Sequence, residues 1–132
     1  MSLTLRLQRG ELLVAECPSR SVLKHLTSQW GVLVLMVLVK GTKRFSEIRR
    51  SVKGVSEKML AQTLQSLETD GFVKRKSFPV VPPHVEYSLT PLGEEVSVHV
   101  TALADWIESN LAKVIEARSK STHSDVSVKQ SN

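Results

Sequence analysis

The sequence predicts an α+β fold that is mostly helical, and three observations in its 132 residues carry that expectation. RFSEIRRSV and SEKMLAQTLQSLETD both place apolar residues at helical spacing, with a glycine between them. The stretch after Gly71 changes to alternation with prolines in its middle, and a run that is apolar on every side, Trp30–Val39, precedes them all. Apolar residues make up 41% and charged residues 23%, ordinary for a globular chain, so collagen-like repetition and wholesale disorder are excluded. The length suits one modest core with appendages.

The first residues hold Leu3, Leu5, Leu7, Leu12 and Leu13, interrupted by Gly10, and read as a weak helical arm over residues 1–16. Cys17-Pro18 marks a helix start, because proline sits well in a first turn where its missing N–H would lack a partner anyway. That helix is expected to run to about Leu26, with Val22, Leu23 and Leu26 on its inner side. Periodicity cannot separate helix from strand in QWGVLVLMVLV. Its valines favour strand, whereas its length, and the need of the following elements for a central helix, favour helix from about Ser28 to Val39. Lys40-Gly41 supplies the stop.

RFSEIRRSV carries Phe45, Ile48 and Val52 on one side and Arg44, Arg49 and Arg50 on others, a short amphipathic helix with a basic exterior. Gly54 breaks it. Ser56 then caps a second helix with an apolar stripe of Leu60, Leu64 and Leu67, ended by Asp70-Gly71. Two short helices joined by a glycine-containing turn form a helix-turn-helix. FVKRKSF and VEYSLT, the latter alternating Val85, Tyr87 and Leu89 against Glu86 and Ser88, read as strands around a loop with Pro79, Pro82 and Pro83. A basic hairpin directly after a helix-turn-helix is the wing of a winged helix.

Thr90-Pro91 opens the last helix, with threonine as N-cap and Glu94 and Glu95 near the positive dipole end. It is expected to reach about Ala117. Val96, Val100, Leu103, Ile107 and Val114 form a seam that Trp106 and Leu111 widen and Asn110 interrupts. Such a seam suits a homodimer interface; the alternative is that the helix folds back on its own domain. From Arg118 the chain is mostly polar and is expected to be a disordered tail. The expected organisation is therefore an arm at 1–16, a winged helix-turn-helix at 17–90, a dimerisation helix at 91–117 and a tail at 118–132.

Charge is concentrated in the middle. Lys40–Lys76 holds ten basic and four acidic residues, a surplus of +6 against +5 for the whole chain. That field favours a polyanion such as double-stranded DNA, through release of phosphate counterions, although a solvated lysine-rich face gives the same count. Cys17 is the lone cysteine, so no intramolecular disulfide can form, and with no cleavable signal pattern at the start the expectation is a cytoplasmic protein. The longest apolar run falls well short of the roughly 20 residues that cross a bilayer as a helix, so no membrane partner is expected. His25, His84, His99 and His123 show no metal-ligand spacing, and no nucleophile-base set or phosphate-binding glycine loop is present, so neither cofactor nor enzyme activity is expected.

CPSRSVLKHL, QWGVLVL, RFSEIRR, GVSEKMLAQTLQSLETDGFVKR and VPPHVEYSLTPLGEE together resemble the HxlR-type regulators, a branch of winged-helix transcription factors related to the MarR group. The resemblance runs from about Glu11 to Ile115. It implies a dimer whose N- and C-terminal helices form the interface and whose paired winged helices bind a palindromic operator. The chain has Gln29 and Gly31 where the family often carries a lysine and a hydroxyl residue, and Gln65 where it often carries an arginine.

At about 100° per residue, the leucine stripe leaves Lys58, Gln62 and Gln65 on the opposite side of the second helix, with Ala61 at the margin. Gln62 suits adenine N6 and N7, Lys58 guanine or phosphate, and Ala61 a thymine methyl; plain solvent exposure is the alternative for each. Arg44, Ser46, Arg49, Arg50 and Ser56 are candidates for the DNA backbone, and Lys74, Arg75 and Lys76 would bring the wing to phosphates or the minor groove. Strand alternation keeps those last three from all pointing one way.

Cys17, ahead of a helix start and near Arg20 and Lys24, has the setting of a stabilised thiolate. A cysteine here in related proteins senses oxidants and electrophiles, which would make an oxidant or small molecule the signal; a small half-buried structural cysteine is the alternative. A winged helix serving protein–protein contact is the rival function, and a thiol enzyme using Cys17 a weaker third.

Overall fold

A computed structural model describes the backbone over residues 9–130 and side chains over residues 9–121. The order is α1 (Ser19–Thr27), α2 (Gln29–Val39), β1 (Lys43–Arg44), α3 (Phe45–Ser51), α4 (Glu57–Thr69), β2 (Val73–Phe78), β3 (His84–Leu89) and α5 (Pro91–Gln130). The strands form one antiparallel sheet in the order β1-β3-β2. This is a winged helix-turn-helix. The chain divides into two units, Met1–Thr101 and Ala102–Asn132.

The first unit is built around α2. The ambiguous apolar run is helical, with Val34, Leu35 and Leu38 buried, and Ser28 starts it by accepting the Gly31 N–H at 3.1 Å. Ile48 and Val52 from α3 and its end, Leu60, Leu64 and Leu67 from α4, Phe72 just ahead of β2, and Val73 and Tyr87 from the sheet join them in the core. α4 ends in a Schellman arrangement: the Phe72 N–H bonds the Leu67 carbonyl at 2.9 Å, the Gly71 N–H bonds Glu68 at 3.0 Å, and Gly71 takes φ 84°.

The start of α5 is tied to that turn. Thr90 Oγ1 donates to the Gly71 carbonyl at 2.6 Å and accepts the Gly93 N–H at 3.0 Å. Gly93 lies so close that an added Cβ would sit 2.0 Å from the Phe72 carbonyl oxygen.

Several expectations need correction. Residues 9–16 of the arm, and Cys17-Pro18 after them, form turns rather than helix up to the start of α1, because local bonds such as Val14 N–H to Glu11 and Cys17 N–H to Val14 close short loops; Leu3, Leu5 and Leu7 lie outside the described residues. Leu23 is 42% exposed rather than inward, since only Val22 and Leu26 of α1's apolar residues reach the core. β1 was not anticipated, being too short to show alternation; it pairs Lys43 with Tyr87 and Arg44 with Glu86. Val96 and Val100 do not belong to an open seam, because both pack into the first unit's own core.

In the second unit, Leu103, Trp106, Ile107 and Leu111 are exposed and Val114 is half-buried. Asn110 Nδ2 donates to the Trp106 carbonyl at 2.8 Å. The helix continues to Gln130, past the expected end at Ala117 and through most of the expected disordered tail. No proline or glycine interrupts it after Gly93, and Lys120 pairs with Glu116 one turn earlier at 3.3 Å.

Candidate nucleic-acid interface

The leucine stripe of α4 is fully buried, and Lys58, Ala61, Gln62 and Gln65 are all exposed on its other side. The helix is anchored by what it hides, so these side chains keep a fixed pitch and spacing toward solvent. Ser56 Oγ accepts the Met59 N–H at 3.1 Å, which leaves its own O–H free in direction to donate outward. Met59, 40% exposed beside Lys58, is a further surface residue of this helix, marked in the sequence only as an apolar residue off the leucine stripe.

α3 starts without a hydroxyl cap. Instead Glu47 reaches back and its Oε1 accepts the Arg44 N–H at 2.9 Å. That bond first, then the charges of Lys43, Arg44 and Arg50, holds the Glu47 carboxyl below the usual carboxylate range. Ser46, Arg49 and Arg50 are exposed and, with Phe45 and Glu57, line one shallow hollow at the start of α4. Arg49 is not an unencumbered cation: its Nη1 lies 3.8 Å from Glu57 Oε2, a long pair between exposed groups that a phosphate can displace at little cost. Arg44 sits on β1 rather than on the helix exterior.

Lys74, Arg75 and Lys76 are exposed along β2, opposite Ser88, Tyr87 and Glu86. Alternation divides them. Lys76 places its ammonium 5.0 Å from the centre of the Phe78 ring, which itself stacks on His84 at 4.5 Å. Arg75 turns the other way and lines a hollow of about 420 Å3 with Ala61, Gln65, Glu68, Thr69 and Tyr87. Arg75 therefore joins the α4 surface, and Lys74 and Lys76 belong to the opposite face of the wing.

Cys17 is half-buried ahead of α1, apart from these groups in sequence and element. Its Sγ receives the Glu11 N–H at 3.3 Å and the Ser19 O–H at 3.0 Å. The Glu11 bond and then the Ser19 bonds lower the thiol pKa, against small opposing effects of burial and the Glu11 charge. The expected help from Arg20 and Lys24 is not the cause; Arg20 Nη1 donates instead to the Leu12 carbonyl at 3.3 Å. Among the described residues no group of three or more His, Cys, Asp or Glu side chains is placed to hold a metal. None of their helices is by itself long and apolar enough to cross a membrane.

Residues 25–115 match the model of the HxlR-like helix-turn-helix family. The chain is 64% identical over 118 residues to the HTH-type transcriptional regulator YtfH of Escherichia coli K12, covering 89% of this chain and 94% of that one. Its fold is similar to the solved structure of the transcriptional regulator ytfH from Salmonella typhimurium, with a TM-score of 0.81 and 66% identity over 83% of this chain and 98% of that one. The oxidised form of the redox regulator HypR is also similar, with a TM-score of 0.65 and 37% identity over 71% of this chain and 97% of the other.

Proposed function

We propose that this chain, which belongs to the HxlR-like helix-turn-helix family of DNA-binding transcriptional regulators, acts in the cytoplasm as a homodimer reading a palindromic operator in double-stranded DNA. Members of this family are regulators rather than enzymes. The observation that carries the reading is the exposed row Lys58, Ala61, Gln62 and Gln65 over a buried leucine stripe, flanked by Arg44, Ser46, Arg49, Arg50 and Ser56 before it and by Lys74, Arg75 and Lys76 after it. α4 lies in the major groove and supplies base contacts, while the flanking groups grip phosphates and set register.

The homodimer reading rests on the exposed Leu103, Trp106, Ile107 and Leu111, with Val114. A helix face of this size needs apolar cover, and a second copy's helix supplies it isologously. Ile107→Asp is expected to shift the protein to monomer in sedimentation and to weaken operator binding.

Cys17 is the sensing residue in this reading. Two thiols, either Cys17 of both protomers or Cys17 and a small-molecule thiol, lose two protons and two electrons to hydrogen peroxide; an S–S bond forms and two waters leave. The hydrogen bonds that favour the thiolate support this, as does the similarity to a redox regulator. A Cys17→Ser protein whose operator affinity still falls on oxidation would remove Cys17 from the role.

The deciding experiment recovers bound fragments from random and genomic DNA with purified protein, reduced and oxidised, then titrates the recovered duplex at several salt concentrations. A steep negative log–log slope is expected. Absence of binding at low salt would turn the reading toward a protein partner.

A further inference from the structure

The first unit contains a cleft that DNA reading does not use. Its volume is about 380 Å3, and its walls include Leu38 from the end of α2, Leu89 from β3, and Glu94, Ser97, Val98 and Thr101 from the start of α5. That size lies within the range of small-molecule sites. The α5 residues recur at steps of three and four and so share one stripe of the helix. At Gly41, on the lining, nothing lies within 4 Å of where a Cβ would stand, so that wall is open.

Ser97 is 1% exposed, yet its Oγ has no hydrogen-bond partner. Serines within helices usually turn back to the carbonyl four residues earlier, and buried hydroxyls left unpaired are uncommon. Glu94 is the sole charged residue on the lining, and among the described residues it makes no ion pair. Leu38, Leu89 and Val98 add apolar surface around these groups.

We infer that this cleft binds a small molecule bearing an ammonium group on a compact apolar body. The Glu94 carboxylate takes the charge, the Ser97 hydroxyl turns out of its buried position to accept one N–H, and the apolar walls cover the body. A carboxylate-bearing ligand would meet Glu94 as a like charge. The occupant would touch both α5 and β3, the central strand of the wing's sheet.

Benzylamine is the probe, titrated into the full chain and followed by amide chemical shifts at Leu89 and residues 94–101. Saturable shifts at these positions are expected. Glu94→Gln should weaken binding about tenfold, and Ser97→Ala about fivefold. Benzoate should neither bind nor compete. Absence of saturable shifts, equal binding of benzoate, or unchanged affinity in both variants would each overturn the assignment. Glu94 is exposed and Ser97→Ala removes an unpaired hydroxyl, so both variants are expected to fold, with circular dichroism as the check.

Discussion

His25 Nδ1 lies 2.6 Å from Oδ2 of Asp70, joining α1 to the residue that caps the C-terminus of α4. The partners are 45 positions apart, and Asp70 is mostly buried. α1 has no fully buried residue, so this bond and the half-buried Val22 and Leu26 fix it against the rest of the unit. Whatever displaces α1 therefore pulls on the end of α4.

His25→Ala should accordingly cost about 1–3 kcal/mol, because it leaves a mostly buried carboxylate without its partner. Urea unfolding gives the value. The double variant with Asp70→Ala should lose less than the two single losses combined, and strict additivity would show that the contact contributes nothing.

Gln62→Ala should change base preference at one position in each half-site, by about 1–3 kcal/mol of discrimination. Arg49→Ala should instead weaken all sequences alike and reduce the salt slope by about 1. Binding to specific and random duplexes separates the two. Equal losses on both for Gln62→Ala would end its assignment as a base reader.

The thiol of Cys17 has its pKa lowered by the Glu11 and Ser19 hydrogen bonds, so its thiolate persists to lower pH than that of an ordinary thiol. Iodoacetamide labelling should therefore rise at a lower pH than for a free cysteine peptide. Ser19→Ala removes one lowering bond and should move the labelling midpoint upward. A midpoint that stays in place would show that the Ser19 hydroxyl does not act on the thiolate.

Ser97→Ala should stabilise the protein by about 1 kcal/mol, since it deletes a buried hydroxyl with no partner and adds a better helix former. Thermal unfolding should shift upward by roughly 3–6 °C. A fall in midpoint would mean that the hydroxyl is satisfied in solution.

Much of the frame was legible in the chain. The stripe Leu60, Leu64 and Leu67 announced both a helix and its hidden side, and every residue assigned to the opposite side is exposed. Thr90-Pro91 and Gly71 marked ends that the backbone respects. The run from Trp30 to Val39 was decided by length rather than pattern, because a segment apolar on every side has no polar face to reveal its period. Leu23 was misread because α1 is only partly covered, and Val96 and Val100 because a seam does not say what lies against it.

The sequence by itself determined the bounds of α2 and α4, the start of α5 and which side of α4 faces outward, since caps, glycine stops and periodicity act between residues a turn or less apart. The tertiary structure alone decided that β1 joins the wing, that Arg75 turns toward α4, that Glu11 and Ser19 bond Cys17, and that His25 meets Asp70. The β1, Arg75 and His25 relations join groups distant along the chain, and a local pattern cannot specify which remote partner closes on it. The bonds at Cys17 link near neighbours, but they depend on irregular turns that no periodicity encodes.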